Sequence, residues 1–193
     1  LSPVQFSGGT SAGSTASHDG NVIGWHVGYD DSNPTSDIWI VKLDTNGSIE
    51  WQKCLGGSGW DSACSIQQTL DGGFIVAGCT ASNDGDVKGW HEGYDEYGPT
   101  SDIWIVKLDA DGNIQWQKCL GGSKDDRASN ILQTFDGGYI VAGITESNDG
   151  DVNNLHGRSD FWIIKLDKYG NMEWTKTLGG TNWEPECKIL QTL

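Results

Sequence analysis

The chain has 193 residues, a formal charge of −15, ten Trp and 28 Gly. That charge argues against nucleic acid and anionic membrane surfaces as partners and is compatible with cation binding. No run of 18 apolar residues occurs, so no membrane insertion is expected, and the start at Leu1, without Met, reads as a processed or excised piece.

In chain order the residues repeat. Ala12–Gly13 aligns with Ala77–Gly78, so the chain opens near the second strand of a unit. Next comes SHDGNV from Ser17, which returns as SNDGDV from Ser82 and from Ser147. SDIWIVKLD starts at Ser36 and again 65 residues later at Ser101; SDFWIIKLD follows 58 residues on, at Ser159. WQKCLGG at Trp51 and Trp116, and WTKTLGG at Trp174, keep the same two steps. The seven missing residues have one address, where HVGYDDSNPTSD (from His26) and HEGYDEYGPTSD (from His91) shrink to HGRSD (from His156).

Each full unit reads as four strands. Ile103–Leu108 is a short apolar run, as expected of a strand covered on both faces. Ile114–Leu120 alternates, which suits an outer strand with one wet face. Ala63–Thr69 and Phe74–Gly78 form a hairpin around Asp71–Gly72, read as a two-residue loop. No run combines helical period with helix caps. A long period holding four antiparallel strands predicts an all-β fold: a β-propeller-type array of three four-stranded blades. Residues 1–55 hold strands two to four of a first blade, 56–120 a second blade and 121–178 a third. Residues 179–193 are the first strand of a further blade, or of a first blade split between the termini.

DGGFIVAG, DIWIVKLD and IQWQKCLGG together resemble the repeats of secreted bacterial and archaeal β-propeller proteins, many of them large surface proteins. The resemblance covers almost the whole chain. It implies blade architecture and an extracellular or cell-surface location; it implies no activity, since propellers host many.

Three blades are too few to close a ring. Three arrangements follow: a fragment of a longer array, two chains exchanging terminal strands in a six-bladed ring, or a filament in which each carboxyl-terminal strand completes the next copy. The strand would use Glu186, Cys187, Ile189, Leu190 and Leu193 against the edge near Ala12 and Gly13. The partner is then the chain itself, and the expected role is structural and non-catalytic. The alternative is an adhesin-type module binding glycans or surface proteins.

Several motifs are candidates for chemistry. In SNDGDV, oxygen side chains alternate with Gly, which suits a hard cation. Asp84 and Asp86 with Asp102, and Asp149 and Asp151 with Asp160, are the candidate Ca²⁺ ligands, against a loop that satisfies its own backbone. Trp25, Trp90 and Tyr94 are candidate glycan platforms, against a loop folded over its own aromatics. His26, His91 and His156 recur, and no unit holds a distinct acid, base and nucleophile. Asn46 heads the only usable glycosylation sequon. Of five Cys, Cys64 and Cys79 would face one another across the Asp71–Gly72 hairpin within disulfide reach, against two half-buried thiols.

Overall fold

The computed structural model describes residues 8–30, 33–185 and 187–192. Glu186 and Leu193, two of the expected assembly residues, lie outside the described residues. The fold is all-β, with no helix among the described residues. In chain order the strands are β1 (Gly9–Thr15), β2 (Tyr29–Asp30), β3 (Asn33–Pro34), β4 (Asp37–Leu43), β5 (Ile49–Leu55), β6 (Asp61–Gln68) and β7 (Phe74–Thr80). There follow β8 (Tyr94–Asp95), β9 (Gly98–Pro99), β10 (Asp102–Leu108), β11 (Ile114–Leu120), β12 (Asp126–Gln133), β13 (Tyr139–Thr145), β14 (Asp160–Leu166) and β15 (Met172–Leu178).

All ladders in the sheets are antiparallel. Two sheets have four strands, in the orders β6-β7-β10-β11 and β12-β13-β14-β15; a third has three, β1-β4-β5. The short hairpins β2-β3 and β8-β9 occupy the stretch that the third unit lacks. The sheets stack in chain order, with β6 laid against β1 and β4, and β12 against β6, β7 and β10.

The middle sheet shows why its strands are apolar without alternation. Phe74, Val76, Trp104, Val106 and Leu108 face the first sheet, in a core with Ile38, Ile40 and Leu55. Ile75, Ala77, Ile103 and Ile105 face the third, against Ile131, Tyr139, Val141 and Trp162. Successive side chains of one strand thus enter different cores. Lys107 interrupts the run and is buried, its ammonium closed by Asp71 Oδ2 at 2.9 Å and by the Leu108 carbonyl at 2.9 Å.

The hairpin turns differ from expectation by one residue. Thr69 N–H donates to the Gly73 carbonyl at 2.9 Å, so the loop is Leu70–Asp71–Gly72, three residues rather than two. Gly72 takes the left-handed position (φ 84°), the standard closure of a three-residue hairpin. A β-bulge between Ala63 and Ser65 then shifts the register again, and Cys79 faces Ser62 instead of Cys64. The expected Cys64–Cys79 pairing by register is corrected accordingly: Cys64 is the bulge residue, and both side chains stand as thiols.

The split unit does not close within the described residues. No strand lies on the outer edge of β1, and Cys187–Thr192 forms no strand. Described residues from Trp183 onward nevertheless contact the third unit. Trp183 bridges Ser159, Glu184 N–H reaches the Ser159 carbonyl at 3.4 Å, and Cys187 Sγ reaches the Gly143 carbonyl at 3.1 Å. Asp61 and Asp126 make the same backbone bond to Ser36 and Ser101, at 2.7 and 2.6 Å.

Candidate functional site at the unit junctions

Each junction between units is built on a buried carboxylate pair. At the first, Asp37 starts β4 and Asp61 starts β6; at the second, Asp102 starts β10 and Asp126 starts β12; all four side chains are fully buried. Between the members of each pair lies the first Gly of a Gly-Gly turn. A Cβ on Gly121 would stand 2.6 Å from Asp126 Oδ2 and 2.7 Å from Asp102 Oδ1, so only glycine fits there. Asp160 and Glu184 flank Gly179 in the same way.

The first member of each pair is held by a histidine. His91 donates its backbone N–H and, from Nδ1, its ring N–H to Asp102 Oδ2, both at 2.8 Å. His26 does the same for Asp37 at 2.8 and 2.9 Å, and His156 for Asp160 at 3.0 and 2.7 Å. The recurring histidines therefore fix strand starts. Burial pushes the Asp102 carboxyl up to about 6 against the pull of His91; desolvation pulls His91 down, and the Asp102 carboxylate outweighs it and raises His91.

The second member is held by the unit's own turn and by the SNDGDV loop. Asp61 accepts from Gly57 N–H at 2.9 Å, from Ser82 Oγ at 2.8 Å and from the Thr80 hydroxyl. Asp126 accepts from Gly122 N–H at 2.9 Å and from Ser147 Oγ at 2.7 Å. Desolvation still dominates, and both carboxyls rise to about 6. Asp37 Oδ1, Asp102 Oδ1, Asp126 Oδ1 and Asp160 Oδ1 are buried without a hydrogen-bond partner among the described residues. At Gly179 both facing oxygens, Asp160 Oδ1 and Glu184 Oε2, lack a partner among the described residues, which fits a pair that holds a single proton.

The SNDGDV loop is a clasp. Asp84 Oδ1 accepts Ser58 N–H at 2.7 Å, Ser82 Oγ accepts Gly59 N–H at 2.9 Å, and Asp86 N–H donates to the Gly56 carbonyl at 2.8 Å. Asp149, Ser147 and Asp151 repeat these bonds on Ser123, Lys124 and Gly121 at 2.8, 3.0 and 2.8 Å. The expected calcium sets are thus regrouped one unit back. Asp86 neighbours His26 and Asp37 instead of Asp102, and Asp151 neighbours His91 and Asp102 instead of Asp160. Among the described residues no three His, Cys, Asp or Glu side chains gather as a metal would need. Asp84→Ala is expected to lower stability by about 1–2 kcal/mol, the loss of one acceptor for a backbone N–H. EDTA tests the calcium reading separately: a drop in the thermal midpoint on chelation matching that of the variant would place calcium in these loops.

Trp90 Nε1 donates to the Thr100 carbonyl at 3.0 Å, and Tyr94 meets the ring edge-on at 6.3 Å; Trp25 Nε1 donates to the Thr35 carbonyl at 3.3 Å. These loops fold over their own aromatics, with Tyr94 exposed. Asn46 is exposed at the tip of the β4-β5 turn, its N–H held by Asp44 Oδ1 at 2.8 Å. Ala12 and Gly13 sit in β1 opposite Ile40 and Trp39. Ile189 and Leu190 line a groove with Phe135 and Ile140. Sequence reasoning missed Asp61, Asp126 and Glu184, although each follows the first Gly of its Gly-Gly pair by five residues.

No family model matches the chain. A stretch of 113 residues, 58% of the chain, is 29% identical to the regulatory protein FlaEY of Caulobacter vibrioides. It spans 12% of that protein's length, so the likeness is to a small part of a much longer chain.

Proposed function

We propose that this chain is a non-catalytic structural module of the propeller type, set at or outside the cell surface, whose units join head to tail with those of another copy. The observation that supports it is what the third unit leaves bare. Leu55 and Leu120, which end β5 and β11, are buried at 4% and 6% exposure, whereas Leu178, which ends β15, is 54% exposed. Trp51 donates from Nε1 to the Ala110 carbonyl and lies over Gly112 in the next unit's turn, and Trp116 lies over Gly170; Trp174 is exposed. The clasp covers Gly57 and Gly122, while a Cβ on Gly180 would meet, among the described residues, no atom nearer than Glu184 Oε1 at 3.8 Å.

The first unit carries the complementary parts. Among the described residues the Asp44–Ser48 turn has open space over Gly47, Ser17–Val22 carries the clasp sequence and bonds to no Gly-Gly turn, and β1 has an open outer edge. A second copy's first unit on this third unit would repeat a joint already made twice within the chain. The carboxyl-terminal segment would meet the open edge of the second copy's β1, where pairing gives main-chain hydrogen bonds, and a head-to-tail joint that does not close makes fibres. The 12% coverage of the Caulobacter protein favours a second reading, in which further units of a longer polypeptide supply the same contacts.

Trp174→Ala with Leu178→Asp tests the proposal. The pair is expected to convert multi-chain species into single chains in light scattering while the far-ultraviolet spectrum keeps its strand signature. Assemblies that persist at wild-type size in this variant would sink it.

A further inference from the structure

Cys64 and Cys79 occupy positions that the repeat does not require. Ser129 and Ile144 stand at the equivalent places one unit on, and the sheet forms there with the same bulge, between Ala128 and Asn130. The pair is therefore an addition to the architecture. Cys79 lies near the end of β7, on the face that meets the third sheet, and lines a cavity of about 320 Å³ between the units. Arg127 from β12 and Asp61 and Ser62 from β6 line the same cavity. Ser62 Oγ lies 3.1 Å from Cys79 Sγ, and the Cys64 thiol is within hydrogen-bonding contact of it. The bulge is what brings Cys64 there, since register alone sets Ser62 opposite Cys79.

We propose that Cys64 and Cys79 form a redox-active dithiol, with Cys79 the nucleophile facing the cavity and Cys64 the exposed resolving thiol, which takes small organic disulfides as oxidant.

The chemistry follows from the surroundings. Donation from Cys64 and then from Ser62, with the Arg127 charge, holds the Cys79 thiol down at about 7, against desolvation and the Asp61 carboxylate. Asp125 binds Arg127 at 2.9 Å and takes part of that charge. By contrast, burial pushes Cys54 and Cys187 up to about 11, and Cys119 higher still. The Cys79 thiolate attacks one sulfur of the disulfide, breaking its S–S bond and releasing one thiolate, which takes a proton from water. Cys64 gives its proton to solvent and attacks Cys79 Sγ, expelling the second thiolate. Two protein thiols are oxidised to one disulfide, and the small disulfide is reduced to two thiols.

The test uses the whole chain with 2-hydroxyethyl disulfide, followed by N-ethylmaleimide, digestion and mass spectrometry. The expected product is a Cys64–Cys79 cross-linked peptide, with Cys54, Cys119 and Cys187 recovered as maleimide adducts after unfolding. The pH midpoint for alkylation of Cys79 should fall near 7, about one and a half pH units below an ordinary thiol. Cys64→Ser should stall at a mixed disulfide on Cys79. Labelling of Cys79 with the midpoint of Cys187, or a wild-type product that stays a mixed disulfide, would overturn the proposal. Both readouts on the wild-type chain are independent of whether the variant folds.

Discussion

Replacing Asp61 by Ala is expected to cost about 3–5 kcal/mol, a large part of the stability of an ordinary domain. The carboxylate is fully buried and accepts from Gly57 N–H, the Ser82 hydroxyl and the Thr80 hydroxyl. Removing it strands all three donors away from water, each at about 1–3 kcal/mol before relaxation. It also unfastens the clasp, because Ser82 Oγ is the same atom that accepts Gly59 N–H. Asp111→Ala, on an exposed turn, is the control and should shift stability by less than about 0.5 kcal/mol. Urea unfolding of the two variants checks the contrast. A loss under about 1 kcal/mol for Asp61→Ala would mean that the junction carboxylates do not hold the units together.

The second large effect is on pH dependence, and its sign is unusual. Asp61, Asp102 and Asp126 rise to about 6 on folding from an ordinary 3.8, in each case chiefly through burial. Between those values the folded chain binds more protons than the unfolded one, so stability falls as pH rises from about 4 to 6. A single buried carboxyl moved that far costs the folded state about 3 kcal/mol at neutral pH. His91, raised by Asp102, acts in the same direction, since its contribution is lost as pH climbs through its folded value. Asp71, held near 2 chiefly by the Thr69 hydroxyl and then by Lys107, works the other way, but only below pH 4. The chain is therefore expected to resist urea better at pH 5 than at pH 7.5. Asp126→Asn, which removes one charge of the second pair, should flatten that slope. A stability that climbs from pH 5 to 7.5 would contradict the buried-pair account.

Much of the fold was legible because the repeat repeats its own punctuation. Ile103–Leu108 reads as a doubly covered strand, and it enters two cores. The Asp-x-x-Gly turns announce hairpins, and Asp109 indeed accepts Asp111 N–H at 2.9 Å and Asn113 N–H at 2.8 Å. What failed was register. A three-residue loop and a bulge each move a pairing by one residue, and neither leaves a mark that local composition separates from a two-residue turn. The Cys64–Cys79 alignment failed for that reason, although the bulge still brings the thiols together. The SNDGDV oxygens were legible as ligands, but not whose ligands they were. Their partners are backbone N–H groups some 26 residues earlier in the chain, and only the stacking of sheets brings them there. The carboxylate five residues beyond each Gly-Gly was visible in all three units, yet an isolated Asp at a strand start carries no sign of its burial.

The bare third unit and the open first unit are proposed here as two halves of one joint. Light scattering and electron microscopy on a single sample of the whole chain test it most directly. Multi-chain particles are expected whose repeat equals one chain, lengthening with protein concentration and lost in the Trp174→Ala, Leu178→Asp variant. A species of single-chain mass at every concentration would contradict it.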